Sequence, residues 1–233
     1  REAMVDNVTT ALDYLEDSVD RRQAQALLEW TRDTFEQQRD CIQRRLAEGR
    51  VRECHGDLHL GNIALFEGRI TVFDCIEFNP GFRWIDTAND LAFLLMDLES
   101  RGHSAWSARV LNEYLELTGD FDALPLLRLF RAYRAMVRAK IALLSPAETD
   151  EARERNLARY RRYAELAEHY SLIPQPWLAA TTGYSASGKS RISAALAEQF
   201  NMIRLRSDVE RKRLFGLRPT ESSASAQDAG IYT

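Results

Sequence analysis

The 233-residue chain combines 45% hydrophobic with 28% charged residues, which is typical of a folded, soluble protein with a core of its own. Its formal net charge of −4 provides no concentrated positive field, so neither nucleic acid nor an anionic membrane surface is expected as its partner. No apolar run approaches the roughly 20 residues that a bilayer span needs, and no secretory pattern is seen, which predicts a cytoplasmic protein. The three cysteines are expected to be reduced thiols, because they lack the even count and pairing of a disulfide framework.

A long amphipathic helix followed by a β-hairpin is predicted for the first part of the chain. From about residue 21 to 48 apolar residues recur at helical spacing, and Gly49 is a natural residue to end that helix. Two short runs rich in strand-forming residues, 63–66 and 69–73, flank the dipeptide Glu67-Gly68, which favours a tight turn. We therefore expect a hairpin that separates two polar loops.

The segment after the hairpin is predicted to be mainly helical. Asp86 is suited to cap a helix that continues through Leu98, because its carboxylate can accept hydrogen bonds from the first free N–H groups. Further helices are predicted at about 104–118, 124–144 and 149–170. Pro174 and Pro176 then interrupt the pattern, so we place a domain boundary there, between residues 1–172 and 173–233.

The second predicted domain begins with an alternation of strands and helices. A short apolar stretch at 177–180 predicts a strand, and a glycine-bearing loop and a helix at about 189–199 follow it. A second strand at about 202–206 and a helix at about 208–214 continue the order. Such an alternation is typical of an α/β domain built on a parallel sheet.

The loop 55–62 carries the residue types of a kinase catalytic loop. His55, Asp57 and Asn62 stand at the offsets at which an Asp accepts the proton of the substrate hydroxyl and an Asn holds a magnesium ion. Asp74 follows across the predicted hairpin, where a second metal-binding Asp is expected. Mg²⁺ neutralises the charge on the moving phosphoryl group and prefers oxygen ligands. We predict that Asp57 is the catalytic base and that Asn62 and Asp74 bind Mg²⁺.

These residues resemble the C-terminal lobe of the aminoglycoside phosphotransferase and choline kinase group. The resemblance rests on His-Gly-Asp at 55–57 with Asn62, on Val-Phe-Asp at 72–74, and on Asp-Thr-Ala-Asn-Asp-Leu-Ala at 86–92. It is close over about residues 50–100 and weak over the helices that follow. It implies a protein-kinase-like lobe that transfers phosphate from ATP to a hydroxyl-bearing small molecule.

Several residues near the loop are given supporting roles. His55 and His59 are expected to hold the loop by packing or hydrogen bonding, since Asp57 already fills the role of the base. The resemblance implies that Asp90 anchors the loop rather than taking part in catalysis. Gly56 stands where protein kinases carry an arginine that pairs with a phosphorylated activation loop, so regulation by such phosphorylation is not expected.

A complete P-loop pattern lies near the end of the chain. Its residues are Gly183, Tyr184, Ser185, Ala186, Ser187, Gly188, Lys189 and Ser190. The glycines let backbone N–H groups close around phosphates, Lys189 reaches the β- and γ-phosphates, and Ser190 binds Mg²⁺. Because a predicted strand precedes the pattern and a predicted helix follows it, we predict a second ATP-binding site here.

The residues after the P-loop resemble those of small P-loop kinases of the gluconate kinase, polynucleotide kinase and zeta-toxin type. In that group an acid at the end of the next strand activates the acceptor hydroxyl, which makes Asp208 a candidate catalytic base and Arg211 a candidate substrate or phosphate contact. The competing interpretation of Asp208 is a helix N-cap. The metal-supporting acid and the arginine-bearing lid of the group are not seen before Thr233, so we expect the second site to be truncated.

The order of the two modules resembles that of bacterial proteins in which an aminoglycoside phosphotransferase is fused to an ATP-binding domain. The fold class expected is α+β: a mainly helical protein-kinase-like C-terminal lobe, followed by the start of an α/β P-loop domain. The kinase glycine-rich loop and its lysine are expected upstream of Arg1, since nothing in this chain supplies them.

Three functions remain open at this stage. The leading one is an ATP- and Mg²⁺-dependent phosphotransferase acting on an unidentified small-molecule acceptor, with a second ATP site. In an alternative, the P-loop domain alone is the kinase and the first lobe is a degenerate binding or regulatory module; in another, the protein is a non-enzymatic nucleotide sensor. An aminoglycoside acceptor is disfavoured, because only Glu77, Asp86 and Asp90 add obvious acids near the loop. The oligomeric state is not predicted.

Overall fold

The computed structural model describes residues 1–173, 175–184 and 186–222. The chain divides into two compact units. Unit 1 contains residues 1–102 and 122–176, and unit 2 contains residues 103–121 together with those after 176. No feature of the sequence indicated that residues 103–121 would group with the later segment. The domain ranges 1–172 and 173–233 stay predictions.

Helices account for most of the secondary structure. They are α1 (Glu2–Tyr14), α2 (Ser18–Gln37), α3 (Arg39–Ala47), α4 (Thr87–Ser100), α5 (Ser104–Thr118), α6 (Leu124–Leu144), α7 (Asp150–Ser171), α8 (Lys189–Phe200) and α9 (Ser207–Leu214). The strands are β1 (Val51–Glu53), β2 (Ile63–Phe66), β3 (Arg69–Val72) and β4 (Trp84–Asp86). Within the described ranges, no helix has the length and apolar character that crossing a membrane requires.

Most predicted helices of unit 1 and unit 2 are confirmed. The first predicted helix, however, is not continuous. The expected helix at 21–48 is two helices, α2 and α3, which meet at Gln38 with φ −95° and ψ 6°. The residues around this break, 36–40, are all polar, so no buried side chain holds the junction in one helix. Gly49 follows α3 with φ +71°, which confirms it as the residue that ends the helical run. Helix α1 was not predicted.

The core of unit 1 lies between α6 and α7, with α1, α2 and α4 packed around them. Helix α6 presents a row of fully or almost fully buried alanines, which lets α7 approach closely. The aromatic side chains of Tyr160 and Tyr163 on α7 fill the space beside that row. Close packing of large against small side chains stabilises this helix pair.

Two short antiparallel ladders flank the loop 55–62. The predicted hairpin is confirmed: β2 pairs with β3 from Ile63 opposite Val72 onwards, and both turn residues, Glu67 and Gly68, adopt positive φ as a tight primed turn requires. The second ladder, β1 with β4, was not predicted, because strands of three residues leave too short a pattern to detect. One ladder leads into the loop 55–62 and the other leads out of it.

In unit 2 the two predicted helices after the P-loop are confirmed as α8 and α9, but the predicted strands at 177–180 and 202–206 are wrong. No described residue after 173 belongs to a strand. Strands need a partner for their backbone groups, and in the described residues Asn112 of α5 takes that place for the segment 202–206. Its Oδ1 accepts from the Arg204 N–H at 2.7 Å, and its Nδ2 donates to the Met202 carbonyl at 2.9 Å.

Candidate active site

The loop 55–62 is fixed by a carboxylate of α4. Asp90 is buried and accepts hydrogen bonds from the backbone N–H groups of His55, at 3.0 Å, and Gly56, at 2.9 Å. Helix α4 is itself positioned by Asp86, which caps it by accepting from the Ala88 N–H at 2.8 Å, as the sequence predicted. Asp90 therefore anchors the loop through its backbone, in the way that the family resemblance implied.

A second carboxylate of α4, which the sequence interpretation missed, holds the other end of the loop. Asp97 is 1% exposed, and its Oδ2 accepts from the Leu60 N–H at 3.0 Å. It lies seven residues after Asp90 and therefore on the same face of α4. A pair of acids at this spacing on the apolar side of a helix was the signal that could have identified it.

Arg134 of α6 forms a hydrogen bond with the backbone of the loop 55–62. The guanidinium donates to the carbonyl of Gly56 at 3.0 Å and to Oδ1 of Asn89 at 2.9 Å, and burial lowers its pKa. Gly56 has φ +85°, and a Cβ at this position would lie 2.7 Å from the Phe82 carbonyl oxygen. Only glycine fits here without displacing backbone.

The predicted catalytic base and the first predicted metal ligand lie together. The Nδ2 of Asn62 donates to the backbone carbonyl and to Oδ2 of Asp57, at 3.0 Å each. Asn62 is buried, whereas 36% of the Asp57 side chain is exposed. A buried amide thus holds an accessible carboxylate in one orientation.

His59 also contacts Asp57, which the sequence interpretation did not foresee. The Gly61 N–H donates to Nδ1 of His59 at 3.0 Å, so the neutral imidazole carries its proton on Nε2. That Nε2 lies 3.2 Å from Oδ2 of Asp57. The hydrogen bond from His59 is the largest cause that holds the pKa of Asp57 below its ordinary value; burial opposes it, and Asn62 and the charge of Arg138 act in the same direction as His59.

The second predicted metal ligand is held beside the same loop. Backbone hydrogen bonds join Phe73 N–H to the Asn62 carbonyl at 3.0 Å and Ile76 N–H to the His55 carbonyl at 3.1 Å. The Nε2 of His55 lies 2.8 Å from the Phe73 carbonyl. Asp74, between these contacts, has φ +60° and an exposed side chain. His55 has the structural role expected of it, and its contacts place the backbone of Asp74 alongside the loop.

The P-loop residues surround a cavity in unit 2. Helix α8 begins at Lys189, and Gly188 precedes it with φ +87°. The Nζ of Lys189 donates to the carbonyls of Gly183 at 2.7 Å and Tyr184 at 2.6 Å, while Ser185 lies outside the described residues. The cavity has a volume of about 320 Å³ and is lined by Ala186, Ser187, Gly188, Lys189, Ser190 and Arg191. Backbone N–H groups at a helix N-terminus next to a lysine form an arrangement that attracts phosphate.

Asp208 and Arg211 both lie in α9. Asp208 is the second residue of the helix, whose N-cap is Arg206, so Asp208 does not take the N-cap position. Its Oδ2 lies 3.3 Å from Nζ of Lys212, one turn further on. Their predicted roles as base and as phosphate contact stay predictions.

Comparisons with known proteins agree with this arrangement. The sequence model of the phosphotransferase enzyme family matches residues 6–130, more than half of the chain, and that of an AAA domain matches residues 178–232. The uncharacterized proteins Rv2004c of Mycobacterium tuberculosis and Mb2027c of Mycobacterium bovis are each 29% identical to this chain over 189 residues. These residues make up 81% of the chain, and the chain spans about 37% of the length of each relative.

No solved structure matches the chain significantly. The expected order of modules, a phosphotransferase lobe followed by a P-loop domain, is confirmed by the positions of the two family matches. The first match contains the whole loop 55–62 and the anchoring helix α4, and the second contains the P-loop. A match to an AAA domain thus follows the phosphotransferase match along the chain, and the chain belongs to the phosphotransferase enzyme family.

Proposed function

We propose that the lobe around Asp57 transfers a phosphoryl group from ATP to a hydroxyl group of a small molecule. The observation that carries the proposal is the fixed carboxylate of Asp57, which Asn62 and His59 orient and which stays partly exposed. Phosphoryl transfer needs positioning and charge neutralisation more than strong covalent chemistry. A carboxylate with a lowered pKa is ionised at neutral pH, so it can orient the acceptor hydroxyl and receive its proton as the transfer proceeds.

Asn62 and Asp74 fit a magnesium site. Because Nδ2 of Asn62 donates to Asp57, the amide oxygen Oδ1 can serve as a metal ligand, and Asp74 adds carboxylate oxygens. Among the residues that the structure describes, no group of three His, Cys, Asp or Glu side chains could hold a metal ion. Mg²⁺ at this position would thus need phosphate oxygens as further ligands, as it does in kinases. When bound, it would neutralise charge on the transferred group.

We further propose that the P-loop is a second nucleotide site. The cavity next to Ala186–Arg191 and the position of Lys189 support it. The Lys189 ammonium donates to two loop carbonyls and would exchange these bonds for the stronger ones that phosphate oxygens offer. Ser190 is the proposed magnesium ligand, Asp208 the proposed base for an acceptor, and Arg211 a proposed phosphate contact.

The test is phosphoryl transfer by this protein. Labelled ATP is supplied with a panel of alcohols, sugars and nucleosides, and products are separated for the wild type, Asp57→Asn and Lys189→Ala. We expect Asp57→Asn to lower one transfer activity by about 100-fold or more. The matched control is Asp33→Asn, an exposed acid of α2, which should leave the rate unchanged.

Each alternative gives a different pattern. If only Lys189→Ala removes transfer, the P-loop domain alone is the kinase and the first lobe is a binding or regulatory module. Tight ATP binding without a product from any acceptor would favour a nucleotide sensor. Loss of one activity in Asp57→Asn and of another in Lys189→Ala would support two working sites.

A further inference from the structure

Helix α5 belongs to unit 2, although it lies within the range of the phosphotransferase family match. It contacts the segment 202–206, in which every second residue is half-buried and the residues between are exposed. The buried side chain of Asn112 bonds to the backbone of this segment at both Met202 and Arg204. The segment 202–206 thus runs along α5 and is held there through its backbone.

Glu116, one turn after Asn112 and on the same face of α5, adds a charged anchor. Its Oε2 accepts from Nη2 of Arg204 at 3.0 Å, and its Oε1 accepts from Nη1 of Arg206 at 2.6 Å. Only 17% of the Glu116 side chain and 14% of the Arg204 side chain are exposed, so this pair is screened much less than an exposed pair. Charge-assisted hydrogen bonds are about twice as strong as neutral ones. Arg204 is therefore held firmly against α5.

The other side of the Arg204 guanidinium reaches the helix that follows the P-loop. Its Nη1 donates to the carbonyl of Ser190 at 3.2 Å, while Nη2 bonds to Glu116. A guanidinium is planar and rigid, so fixing one nitrogen also fixes the direction of the other. Ser190 is the second residue of α8 and lines the cavity next to Lys189. One arginine thus connects α5 to the first turn of α8.

The first turn of α8 has to be held in place if it is to bind phosphate. Backbone N–H groups at a helix N-terminus bind phosphate best when the surrounding structure has already oriented them. A sheet could give this support, but none of the described residues after 173 belongs to a strand. Helix α5 packs against α8 instead. The contact from Glu116 through Arg204 to Ser190 is therefore a support that the structure provides at the P-loop.

We propose that Arg204, held by Glu116, is a positioning residue of the P-loop nucleotide site, and that α5 is part of the scaffold of that site. The proposal rests on the proposed nucleotide-binding function of the P-loop. Because Arg204 fixes the backbone of Ser190, the proposed magnesium ligand, its effect falls on the Mg²⁺-dependent part of ATP binding. Lys189 and the backbone N–H groups would still bind the phosphates of metal-free ATP.

The test measures by calorimetry the affinity of this protein for Mg·ATP and for ATP in excess EDTA, and the ratio of the two affinities is the readout. Lys189→Ala identifies the binding that belongs to the P-loop, and Ser190→Ala gives the ratio expected when the magnesium ligand is lost. We expect Arg204→Lys and Glu116→Gln each to lower the Mg·ATP affinity by about three- to tenfold and to move the ratio toward that of Ser190→Ala. Lysine keeps a positive charge beside Glu116 but lacks the planar fork that reaches both partners.

Arg109→Lys is the matched control. Arg109 of α5 lies 3.9 Å from Glu198 of α8, and 67% of its side chain is exposed, so this pair also joins the two helices but near the end of α8 away from Ser190. The ratio should be unchanged in this variant. Thermal melting shows whether each variant folds, and a general loss of stability would lower both affinities alike. If Glu116→Gln does not fold, Arg204→Lys still tests the proposal.

Three results would overturn the proposal. They are an unchanged ratio in Arg204→Lys, an equal fall of the ratio in Arg109→Lys, and a further fall when Arg204→Lys is combined with Ser190→Ala, since two residues that act through one contact are not additive. Failure of the proposed function looks different. If Lys189→Ala leaves the Mg·ATP affinity unchanged, the P-loop is not a nucleotide site and the role of Arg204 fails with it. If Lys189→Ala removes binding while Arg204→Lys keeps the ratio, only the positioning role fails.

Discussion

The Nε2 atom of His59 lies 3.2 Å from Oδ2 of Asp57, and the backbone N–H of Gly61 fixes the imidazole in the orientation that makes this contact. Only 12% of the His59 side chain is exposed, and its ring packs edge-on against Phe93 with centroids 5.3 Å apart. The imidazole therefore has little freedom to turn away. His59 is a positioning residue for Asp57, because it sets both the direction and the pKa of that carboxylate.

His59→Ala is expected to weaken catalysis through Asp57. The pKa of Asp57 is lowered in the native protein, so removing the hydrogen bond raises it and shifts the acidic limb of the kcat/KM profile to higher pH. We expect kcat to fall by about tenfold while KM for ATP stays within about twofold. Steady-state kinetics between pH 4 and 9 measures both, with His103→Ala, an exposed histidine, as the control. An unmoved acidic limb would contradict the positioning role.

Gly56→Ala should destabilise unit 1 more than other glycine substitutions do. The added Cβ would lie 2.7 Å from a backbone oxygen at a residue with φ +85°, so both steric overlap and backbone strain oppose folding. We expect the free energy of unfolding to fall by about 2–4 kcal/mol. The matched control is Gly49→Ala, which has φ +71° but nothing within 4 Å, and strain alone costs about 1 kcal/mol there. Urea denaturation should separate the two, and equal losses would rule out the steric argument.

Arg45→Met should strongly destabilise the loop scaffold. Arg45 is completely buried and 12% of the Asp86 side chain is exposed, so the substitution leaves a nearly buried carboxylate without its counter-charge. The expected loss is about 3–5 kcal/mol of unfolding free energy. Arg39→Met removes an exposed pair with Glu36 and should cost less than about 1 kcal/mol. Comparable losses in the two variants would show that the buried pair contributes no more than a surface one.

Lys189→Ala is expected to reduce Mg·ATP binding at the P-loop. The ammonium group is the positive charge placed at the cavity by the motif, and a charge-assisted hydrogen bond to phosphate is worth about 1.5–3 kcal/mol. Calorimetry should show affinity lower by about tenfold or more, whereas Lys140→Ala, which removes a pair with the exposed Asp6, should have no effect. The Mg·ATP affinity of Asp74→Asn, measured in the same experiment, tests whether the first lobe contributes to nucleotide binding. Unchanged affinity in Lys189→Ala would exclude the P-loop as the working nucleotide site.

Features that depend on neighbours along the chain could be predicted from the sequence. The hairpin turn at Glu67-Gly68, the capping of α4 by Asp86 and the end of a helix before Gly49 all follow from local backbone preferences. The motif spacing around Asp57 and Lys189 likewise identified both candidate sites. Each of these depends on residues a few positions apart, and such residues interact in almost any fold.

Features that depend on distant partners could not be predicted. Asp97 and His59 acquire their roles only because α4 lies against the loop and Gly61 orients the imidazole. The expected strand at 202–206 is absent because a strand is defined by its partner, and the backbone here bonds to the Asn112 side chain instead. The break between α2 and α3 at Gln38 likewise depends on which side chains the tertiary structure buries.

The sequence by itself determined the two candidate phosphate-binding motifs and most of the local elements that carry them, because motif spacing and turn geometry depend on residue type and spacing. Tertiary structure alone decided which charged groups meet. Asp86 forms an ion pair with the buried Arg45, and Asp90 accepts hydrogen bonds from the backbone of the loop 55–62. Whether a charge is neutralised depends on what packs within a few ångströms of it, and that distance is set by the fold.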